Sequence, residues 1–368
     1  MEWPLLDADQ PTPSLIVSAE IARQNIAAMQ QYCDLHRLRL RPHTKTHKSI
    51  AMAKWQIEAG AAGLTVAKVG EAEKMSGASK DLLLAYPAIG PARVKRLVAL
   101  ARDNAVQVAV DSEAAMEILQ SAAREAGVRL GILVDVDVGF HRTGIVDPSA
   151  AIALCQRVSQ QSPLTFEGLM CFPGHIVPDS SNDLWSNYEQ SLGGIIDSLH
   201  RSGIEAKTIS GGSTPTANQS HRNKFLNEIR PGTYIYNDWN EVRLGVCQIE
   251  QCAGRVLATV VSVPERNKFI VDAGSKTLSS DRNARDPDSG FGYVVEYPTA
   301  KIGRLSEEHG EVIIPSDQQE QYKPPRVGDR VWIIPNHICV CVNLQSEFYL
   351  LEHGKLTLMP VDARGQLI

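Results

Sequence analysis

A lysine lies in a short basic run directly after an apolar segment. Residues 38–48 read Leu-Arg-Leu-Arg-Pro-His-Thr-Lys-Thr-His-Lys. The alternation predicts a strand that ends near Pro42, which places Lys45 at the end of the sheet to which that strand belongs. Burial and neighbouring cations favour a neutral amine, and a neutral lysine amine forms a Schiff base with a carbonyl compound. The alternative is a basic loop that faces solvent or binds phosphate.

A run of small residues follows a later strand candidate. Residues 210–216 read Ser-Gly-Gly-Ser-Thr-Pro-Thr, at the end of the strand predicted at 206–211. Their backbone N–H groups and hydroxyls can surround a phosphate without obstruction by large side chains. Taken alone, such a run is often only a turn. Together with Lys45, it indicates the cofactor pyridoxal 5′-phosphate (PLP).

Two further polar residues follow strand candidates. Arg142 lies in Asp-Val-Gly-Phe-His-Arg-Thr-Gly, residues 137–144, and could hydrogen-bond the ring of the cofactor. A helix-capping arginine is the alternative. His175 lies on a Pro-Gly turn, where an imidazole can transfer protons near neutral pH. A loop histidine can equally be a polar surface residue.

A histidine and a cysteine lie two positions apart near the carboxyl end of the chain. Residues 335–344 read Pro-Asn-His-Ile-Cys-Val-Cys-Val-Asn-Leu. In an extended segment, His337 and Cys339 point to the same face and can bind one ion, and this ligand pair suits zinc. Two protein ligands leave positions for water or substrate. Cys341 would lie on the same face, either as a third ligand or as an inert thiol, and a purely structural role of the pair is the alternative.

The strands that carry these residues alternate with amphipathic helices, predicted for example at 19–36, 90–104 and 112–126. After a first strand at 14–18, the strand candidates are the segment ending at Lys45, 63–67, 81–86, 106–111, 130–137, 164–172, 206–211 and 232–236. This alternation predicts an α/β fold with a parallel sheet, and eight strands close a TIM-type (β/α)8 barrel.

The barrel also explains where the polar residues fall. Active sites of such barrels lie at the carboxyl ends of the strands, and phosphate commonly binds after strands seven and eight. The small-residue run follows the seventh strand, and the eighth-strand region contains Tyr234, which we predict to be another cofactor contact. An open doubly wound sheet is the competing fold, but no Gly-x-Gly-x-x-Gly follows the first strand.

The pattern changes near Val246, where short β-like runs begin to alternate with polar loops that contain Gly and Pro. We therefore predict a barrel domain at 14–245 and a carboxyl-terminal antiparallel β domain at 246–368, which carries the predicted metal site. The strand at 14–18 is not needed for the barrel and can pair with the β domain.

Composition excludes several classes of function. The chain has 368 residues, a hydrophobic content of 43% and a formal charge of −5, and no basic block is long enough to follow a nucleic-acid backbone. No signal-like start and no apolar run of about 18 residues is present, so we expect a cytoplasmic protein without nucleic-acid or membrane partners. Seven scattered cysteines do not indicate a disulfide framework.

Taken together, three motifs resemble the metal-activated D-threonine aldolase / D-serine dehydratase family. They are residues 41–48 (Arg-Pro-His-Thr-Lys-Thr-His-Lys), the turn at 211–216, and Pro-Asn-His-Ile-Cys at 335–339. Members of this family are PLP enzymes of fold type III, with an alanine racemase-like barrel and a carboxyl-terminal β domain. The resemblance implies that Lys45 is the Schiff-base lysine and that Gly212, Ser213 and Thr214 bind the phosphate. It likewise implies that Arg142 lies near the ring, and that His337 and Cys339 bind the metal, either zinc or manganese.

The resemblance implies a lyase that acts on small D-amino acids with a β-hydroxyl group, and a homodimer. The His-Ile-Cys motif and the turn sequence favour a dehydratase over an aldolase. In the scheme we expect, Lys45 takes the α-proton, and His175 is the base for an aldolase reaction. A PLP-dependent racemase without a catalytic metal and a non-catalytic PLP carrier are the alternatives.

Overall fold

The structure of the protein is a computed structural model, and it describes residue 3, residues 9–283 and residues 285–368. The described residues cluster into two units. The barrel unit comprises residues 26–232 and 365–368, and the β unit comprises residues up to 25 together with 233–364. The first strand is β1 (Ser14–Ser18), and helix α1 (Ala19–Leu35) follows it. In the described part of the chain, no helix combines the length and apolar character needed to cross a membrane.

The barrel unit contains a parallel sheet, which has eight strands among the described residues. They are β2 (Arg39–Leu40), β3 (Leu64–Val66), β4 (Asp81–Leu84), β5 (Ala105–Val110), β6 (Leu130–Val136), β7 (Leu164–Cys171), β8 (Thr208–Gly211) and β9 (Glu228–Ile229). Neighbours follow the order β2-β9-β8-β7-β6-β5-β4-β3, and their pairings are parallel. Strands that are sequential in the chain are therefore adjacent in the sheet, as a (β/α)8 barrel requires.

The sheet closes through the segment that carries Lys45. Strand β2 pairs with β9 on one side. On the other side, the N–H of Ala62 donates to the carbonyl of Leu40 at 2.8 Å, and the N–H of Thr65 donates to the carbonyl of Pro42 at 2.9 Å. These bonds join the end of β2 to β3. The predicted TIM-type barrel is thereby confirmed.

Helices connect the barrel strands and cover the sheet. They are α2 (Ile50–Glu58), α3 (Val69–Met75), α4 (Pro91–Leu100), α5 (Glu113–Ala126), α6 (Pro148–Ser159) and α7 (Asn182–Arg201). In α5, the side chain of Ser112 caps the first turn by accepting from the N–H of Ala115, and Gly127 ends the helix at φ +66°. Inside the barrel, four buried residues from β4 to β7 form one packed cluster: Leu83, Ala109, Leu133 and Met170.

The eighth barrel strand lies earlier than we predicted. The prediction placed it at 232–236, but the strand is β9, and residues 233–235 form a short 3-10 helix. Pro231 has no N–H for a further ladder bond, and the Thr-Tyr-Ile-Tyr run that follows resembles a strand only in composition. Tyr234 consequently belongs to the β unit.

The β unit contains further strands. They are β10 (Gly254–Glu265), β11 (Lys268–Val271), β12 (Gly292–Val294), β13 (Lys301–Leu305), β14 (Gly310–Ile313), β15 (Arg330–Pro335), β16 (Glu347–Glu352) and β17 (Lys355–Pro360). They follow the order β13-β14-β11-β10-β1-β16-β17, and β15 pairs with β10 and β12. The pairings are antiparallel except that of β1 with β16. The β unit thus matches the predicted antiparallel fold and includes β1.

Short helices complete the β unit: α8 (Trp239–Arg243), α9 (Ser275–Leu278) and α10 (Ile338–Leu344). Helix α10 corrects our assumption that residues 335–344 are extended, because residues 338–344 are helical and the extended backbone ends at His337, at φ −135° and ψ 100°. The carboxylate of Asp238 accepts from the N–H of Ile338 at 3.1 Å and so stabilises the start of the helix. The alternating-face argument for His337 and Cys339 was therefore wrong.

Candidate active site

Lys45 lies in the loop after β2, at the carboxyl end of the barrel strands. Its side chain is exposed, whereas the neighbouring residues Thr44, Thr46 and His47 are buried. The Thr44 hydroxyl donates a 2.5 Å hydrogen bond to Glu71, a buried carboxylate in α3. The loop is held in place by buried contacts while the amine of Lys45 remains accessible.

Positive charge is concentrated around Lys45. Burial lowers the pKa of the His43 imidazole well below its usual range. Four nearby groups lower the same pKa further: Lys45, Arg230, His47 and Arg142. His43 is therefore neutral at neutral pH. A rim so rich in cations suits a ligand with several negative charges, and the phosphate of PLP is such a ligand.

The small residues of the predicted phosphate site form a tight turn after β8. Gly212 has φ of +76°, and a β-carbon at this position would lie 3.2 Å from Cγ2 of Ile229. Ser213 and Thr214 are buried, and the N–H of Ser213 donates to Oγ1 of Thr216 at 3.1 Å. The turn needs glycine at position 212, and small residues line it. This arrangement fits a bound phosphate.

Arg230, which was not among the predicted site residues, is a buried cation just after β9. Its Nη1 donates to Oγ of Ser210 and its Nη2 donates to the carbonyl of Cys171, both at 2.7 Å. The backbone N–H of Arg230 donates to the carbonyl of Gly211 at 3.1 Å. One arginine thus joins the ends of β7, β8 and β9 beside the phosphate turn. The sequence did not mark this position, because the strand predicted there begins at residue 232, after Arg230.

Arg142 is exposed in the loop after β6. Its guanidinium carbon lies 4.4 Å from the ring centroid of Phe172 and 5.4 Å from that of Phe140. These cation–π contacts position the side chain. The charge of Arg142 lowers the pKa of His43, two residues before Lys45, and the contact of Arg142 with the cofactor stays a prediction.

His175 packs over Gly139, because a β-carbon at position 139 would lie 3.2 Å from Cε1 and Nε2 of the imidazole. Its Nδ1 is buried and has no hydrogen-bond partner among the described residues. Burial lowers the pKa of His175, Asp137 raises it, and His141 lowers it, with a net decrease. The imidazole is therefore neutral near neutral pH and can accept a proton.

Asp135 is a second residue near the barrel rim that was not among the predicted site residues. It lies near the end of β6, where the hydroxyl of Thr143 donates to its Oδ2 at 2.9 Å. Burial raises the pKa of Asp135 to about 6, against the opposing effects of Thr143 and the nearby Arg230. A carboxyl group that titrates near neutrality therefore lies among the cations of the barrel rim.

His337 and Cys339 lie together at the start of α10, in the β unit. Nδ1 of His337 lies 2.9 Å from Oδ2 of Asp281. A carboxylate only accepts, so Nδ1 carries the proton and Nε2 can serve as a ligand atom. Burial lowers the pKa of His337, whereas the hydrogen bond and charge of Cys339 and the charges of Asp238 and Asp281 raise it, to about 10. Without a metal the imidazole therefore carries both protons, and a bound metal ion would displace the proton on Nε2. The Cys339 sulfur also lies 3.5 Å from Oγ1 of Thr233.

The chemistry of this pair fits an open metal site rather than a closed one. Across residues 9–283 and 285–368, no group of three or more His, Cys, Asp or Glu side chains could hold a metal ion. An imidazole oriented by a carboxylate, next to a thiol, is a suitable donor pair for a divalent ion. The other coordination positions would fall to water or substrate.

The sequence matches two family profiles. Residues 17–238 match the alanine racemase N-terminal domain, and residues 253–351 match a serine dehydratase domain. The first match alone covers more than half of the chain. D-threo-3-hydroxyaspartate dehydratase of Delftia sp. (strain HT23) is 31% identical over 355 residues, which cover 92% of this chain and 93% of the relative.

The chain belongs to the D-threonine aldolase and D-serine dehydratase family. Two other members show the same full-length similarity. The D-threonine aldolase of Arthrobacter sp is 29% identical and aligns over 96% of this chain and 93% of its own. The D-serine dehydratase of Dictyostelium discoideum is 28% identical over 93% of each chain. The family predicted from the three motifs is confirmed.

Solved structures of this family share the fold. The crystal structure of D-threonine aldolase from Filomicrobium marinum has a TM-score of 0.89 at 28% identity and covers 98% of both chains. A D-threo-3-hydroxyaspartate dehydratase variant has alanine in place of a cysteine and is described as metal-free. It has a TM-score of 0.87 at 28% identity, over 96% of this chain and 98% of its own. In another variant of that enzyme, alanine replaces a histidine two positions earlier.

Proposed function

We propose that this protein is a PLP-dependent lyase that acts on D-β-hydroxy-α-amino acids with the help of a divalent metal. The observation that carries the proposal is the accessible amine of Lys45, surrounded by cations at the barrel rim. The named relatives act on D-threonine, D-serine and 3-hydroxyaspartate, which share a hydroxyl group on the β-carbon. We favour dehydration over aldol cleavage.

In this proposal, the barrel residues bind the cofactor. Lys45 holds the aldehyde, the turn of Gly212, Ser213 and Thr214 holds the phosphate, and Arg142 faces the ring. Tyr234 remains a further predicted contact. Bound in this way, PLP delocalises the negative charge that develops on the α-carbon of an amino acid. Arg142 stays protonated and only donates hydrogen bonds, so it would leave the ring nitrogen without a proton.

The two lyase reactions differ in the proton that the protein removes. In dehydration, the Lys45 amine takes the α-proton, hydroxide leaves the β-carbon, and the products after hydrolysis are a keto acid and ammonia. In aldol cleavage, a base takes the proton of the β-hydroxyl, the bond between the α- and β-carbons breaks, and glycine and an aldehyde result. The neutral imidazole of His175 is the base that we propose.

We propose that His337 and Cys339 bind the metal, with zinc favoured over manganese because an imidazole and a thiolate form a borderline-soft pair. The metal would act as a Lewis acid towards the β-hydroxyl. The dehydratase variants described above support this assignment, because their substituted histidine and cysteine have the same spacing as His337 and Cys339. The same spacing in a dehydratase supports our preference for dehydration.

A PLP-dependent amino-acid racemase without a catalytic metal is the second candidate, because the barrel matches the alanine racemase profile. A racemase needs bases on opposite faces of the substrate, and the oriented pair of His337 and Cys339 would have no role in it. Metal analysis of the purified protein separates the two candidates, since only the lyase should contain a divalent metal in stoichiometric amount.

The decisive experiment is to incubate the purified protein with PLP, zinc or manganese, and D-serine, D-threonine or D-threo-3-hydroxyaspartate. Keto acid indicates dehydration, and aldehyde indicates aldol cleavage. The native protein should absorb near the visible range, borohydride should abolish that absorbance, and K45A should lack both the absorbance and turnover. A native protein without such absorbance, or a fully active K45A variant, would refute the proposal.

The metal assignment has its own test. A chelator should reduce turnover and preserve the absorbance, and full activity after metal removal would refute the metal assignment.

We also propose that the enzyme is a cytoplasmic homodimer, as its family resemblance implies. Light scattering should give twice the mass of 40.3 kDa calculated for one chain. Fractionation of cells should place the protein with cytoplasmic markers. A monomeric mass, or recovery with the membrane fraction, would contradict this part of the proposal.

A further inference from the structure

Glu228 is a completely buried carboxylate at the start of β9. Its Oε2 accepts from Nε of Arg41 at 3.0 Å, and its Oε1 accepts from the hydroxyl of Ser210 at 2.7 Å. Arg41 also pairs with Asp81, with 2.6 Å between Nη1 and Oδ1. Both oxygens of Glu228 are hydrogen-bonded, so its charge is compensated inside the barrel.

Ser210 connects this carboxylate to Arg230. Nη1 of Arg230 donates to Oγ of Ser210 at 2.7 Å, while the hydroxyl of Ser210 donates to Glu228. A guanidinium only donates and a carboxylate only accepts, so both bonds have a single direction. The hydroxyl of Ser210 therefore has one orientation, and Glu228 sets it.

The same chain of bonds reaches the phosphate turn. The backbone N–H of Arg230 donates a hydrogen bond to the carbonyl of Gly211, and Gly211 directly precedes Gly212. The Arg230 side chain also holds the end of β7 through the carbonyl of Cys171. Burial lowers the pKa of Arg230, and Glu228 is among the groups that oppose this decrease. The cation beside the turn is thus linked to Glu228 through Ser210, and Glu228 is one of several negative groups that compensate its charge.

We infer that Glu228 is a positioning residue of the cofactor site: it orients Ser210 and, through it, Arg230, and so fixes the turn that binds the cofactor phosphate. This inference rests on the proposed function. Glu228 itself lies inside the barrel, in contact with Arg41 and Ser210. Its effect should therefore appear in phosphate recognition rather than in the chemical step.

The test uses cofactor-free full-length protein and two ligands, PLP and pyridoxal, which lacks the phosphate. Apparent dissociation constants are measured by absorbance titration. In E228Q, the amide can keep the bond from Arg41, but the Ser210 hydroxyl then loses its acceptor. We expect the dissociation constant of PLP to rise about tenfold and that of pyridoxal to change by less than about twofold.

An unchanged ratio of the two dissociation constants would overturn the inference, whether both affinities stay the same or both fall equally, as general damage to the fold would cause. If E228Q does not fold, as judged by circular dichroism, S210A removes the same link and is subject to the same criteria.

E71Q is the matched control, because it removes an equally buried carboxylate that contacts Thr44 instead of Ser210. The ratio of the PLP and pyridoxal dissociation constants of E71Q should match that of the native protein. If the native protein binds no PLP, the proposed function fails, whereas an unaltered ratio in E228Q refutes only the role of Glu228.

Discussion

Oδ2 of Asp281 lies 2.9 Å from Nδ1 of His337. Because the carboxylate holds the proton on Nδ1, it directs Nε2 to the position of a metal ligand and increases the basicity of the imidazole. Asp281 lies 56 positions before His337, so spacing along the chain does not indicate that the two residues meet.

The first prediction concerns this carboxylate. D281N should weaken zinc binding about 10- to 100-fold, because loss of the charge removes the orientation of the imidazole. A competition titration with a chromogenic chelator measures the zinc affinity. The control is D286N, which removes a neighbouring carboxylate that pairs with Arg243 at 2.6 Å. Equal zinc affinities of D281N and the native protein would contradict the prediction.

The second prediction concerns His175. H175Q should reduce aldehyde formation from D-threonine about 100-fold, since general-base catalysis contributes a factor of this size. Formation of keto acid should fall much less, because Lys45 is the proposed base for that route. Both products are quantified in the same reaction. His200 is exposed at the end of α7 and provides the control H200Q. A parallel loss of both products would show that His175 does not select between the routes.

The third prediction concerns stability and pH. Burial raises the pKa of Asp135 to about 6, so the folded state binds this proton more tightly than the unfolded state does. The cost of keeping the carboxylate ionised in the folded state is absent at about pH 3, grows as the pH rises, and is almost complete above about pH 6. Cofactor-free D135N should therefore be more stable than the native protein at pH 8, by up to about 3 kcal/mol. At pH 3 the two should be equally stable.

Urea unfolding at the two pH values measures this difference. The comparison at pH 3 is the internal control, because the native carboxyl group is then largely protonated in both the folded and the unfolded state. A stability difference that is the same at pH 3 and pH 8 would mean that Asp135 does not titrate as the structure indicates.

The fourth prediction concerns the phosphate turn. G212A should weaken PLP binding about tenfold, because φ of +76° is unfavourable for alanine and its β-carbon would crowd Ile229. Absorbance titration gives the affinity. G194A is the control, since a β-carbon at this helical position meets no atom within 4 Å. PLP affinity equal to that of the native protein in G212A would exclude the turn as the phosphate site.

Local patterns were sufficient for much of the fold. The strands β3 to β8 and the helices α4 and α5 lie within a few residues of their predicted positions, because each has its own apolar period and end signals. The predictions were wrong where composition was misleading. Residues 233–235 have strand-like residue types but follow a Pro-Gly pair, and residues 338–344 are apolar but helical. In the β unit, short strands were predicted at 256–263, 268–271, 293–297, 311–314, 330–334 and 348–352, and none of them covers β13 or β17.

The sequence by itself determined the family, the barrel and the position of Lys45 at a strand end, since these depend on order and period along the chain. Only the tertiary structure showed the chain of bonds from Arg41 through Glu228 and Ser210 to Arg230, and the pairing of Asp281 with His337. Polar contacts of this kind join residues far apart in sequence. Which polar groups meet depends on how the strands and loops pack, and this packing cannot be inferred from a local sequence pattern.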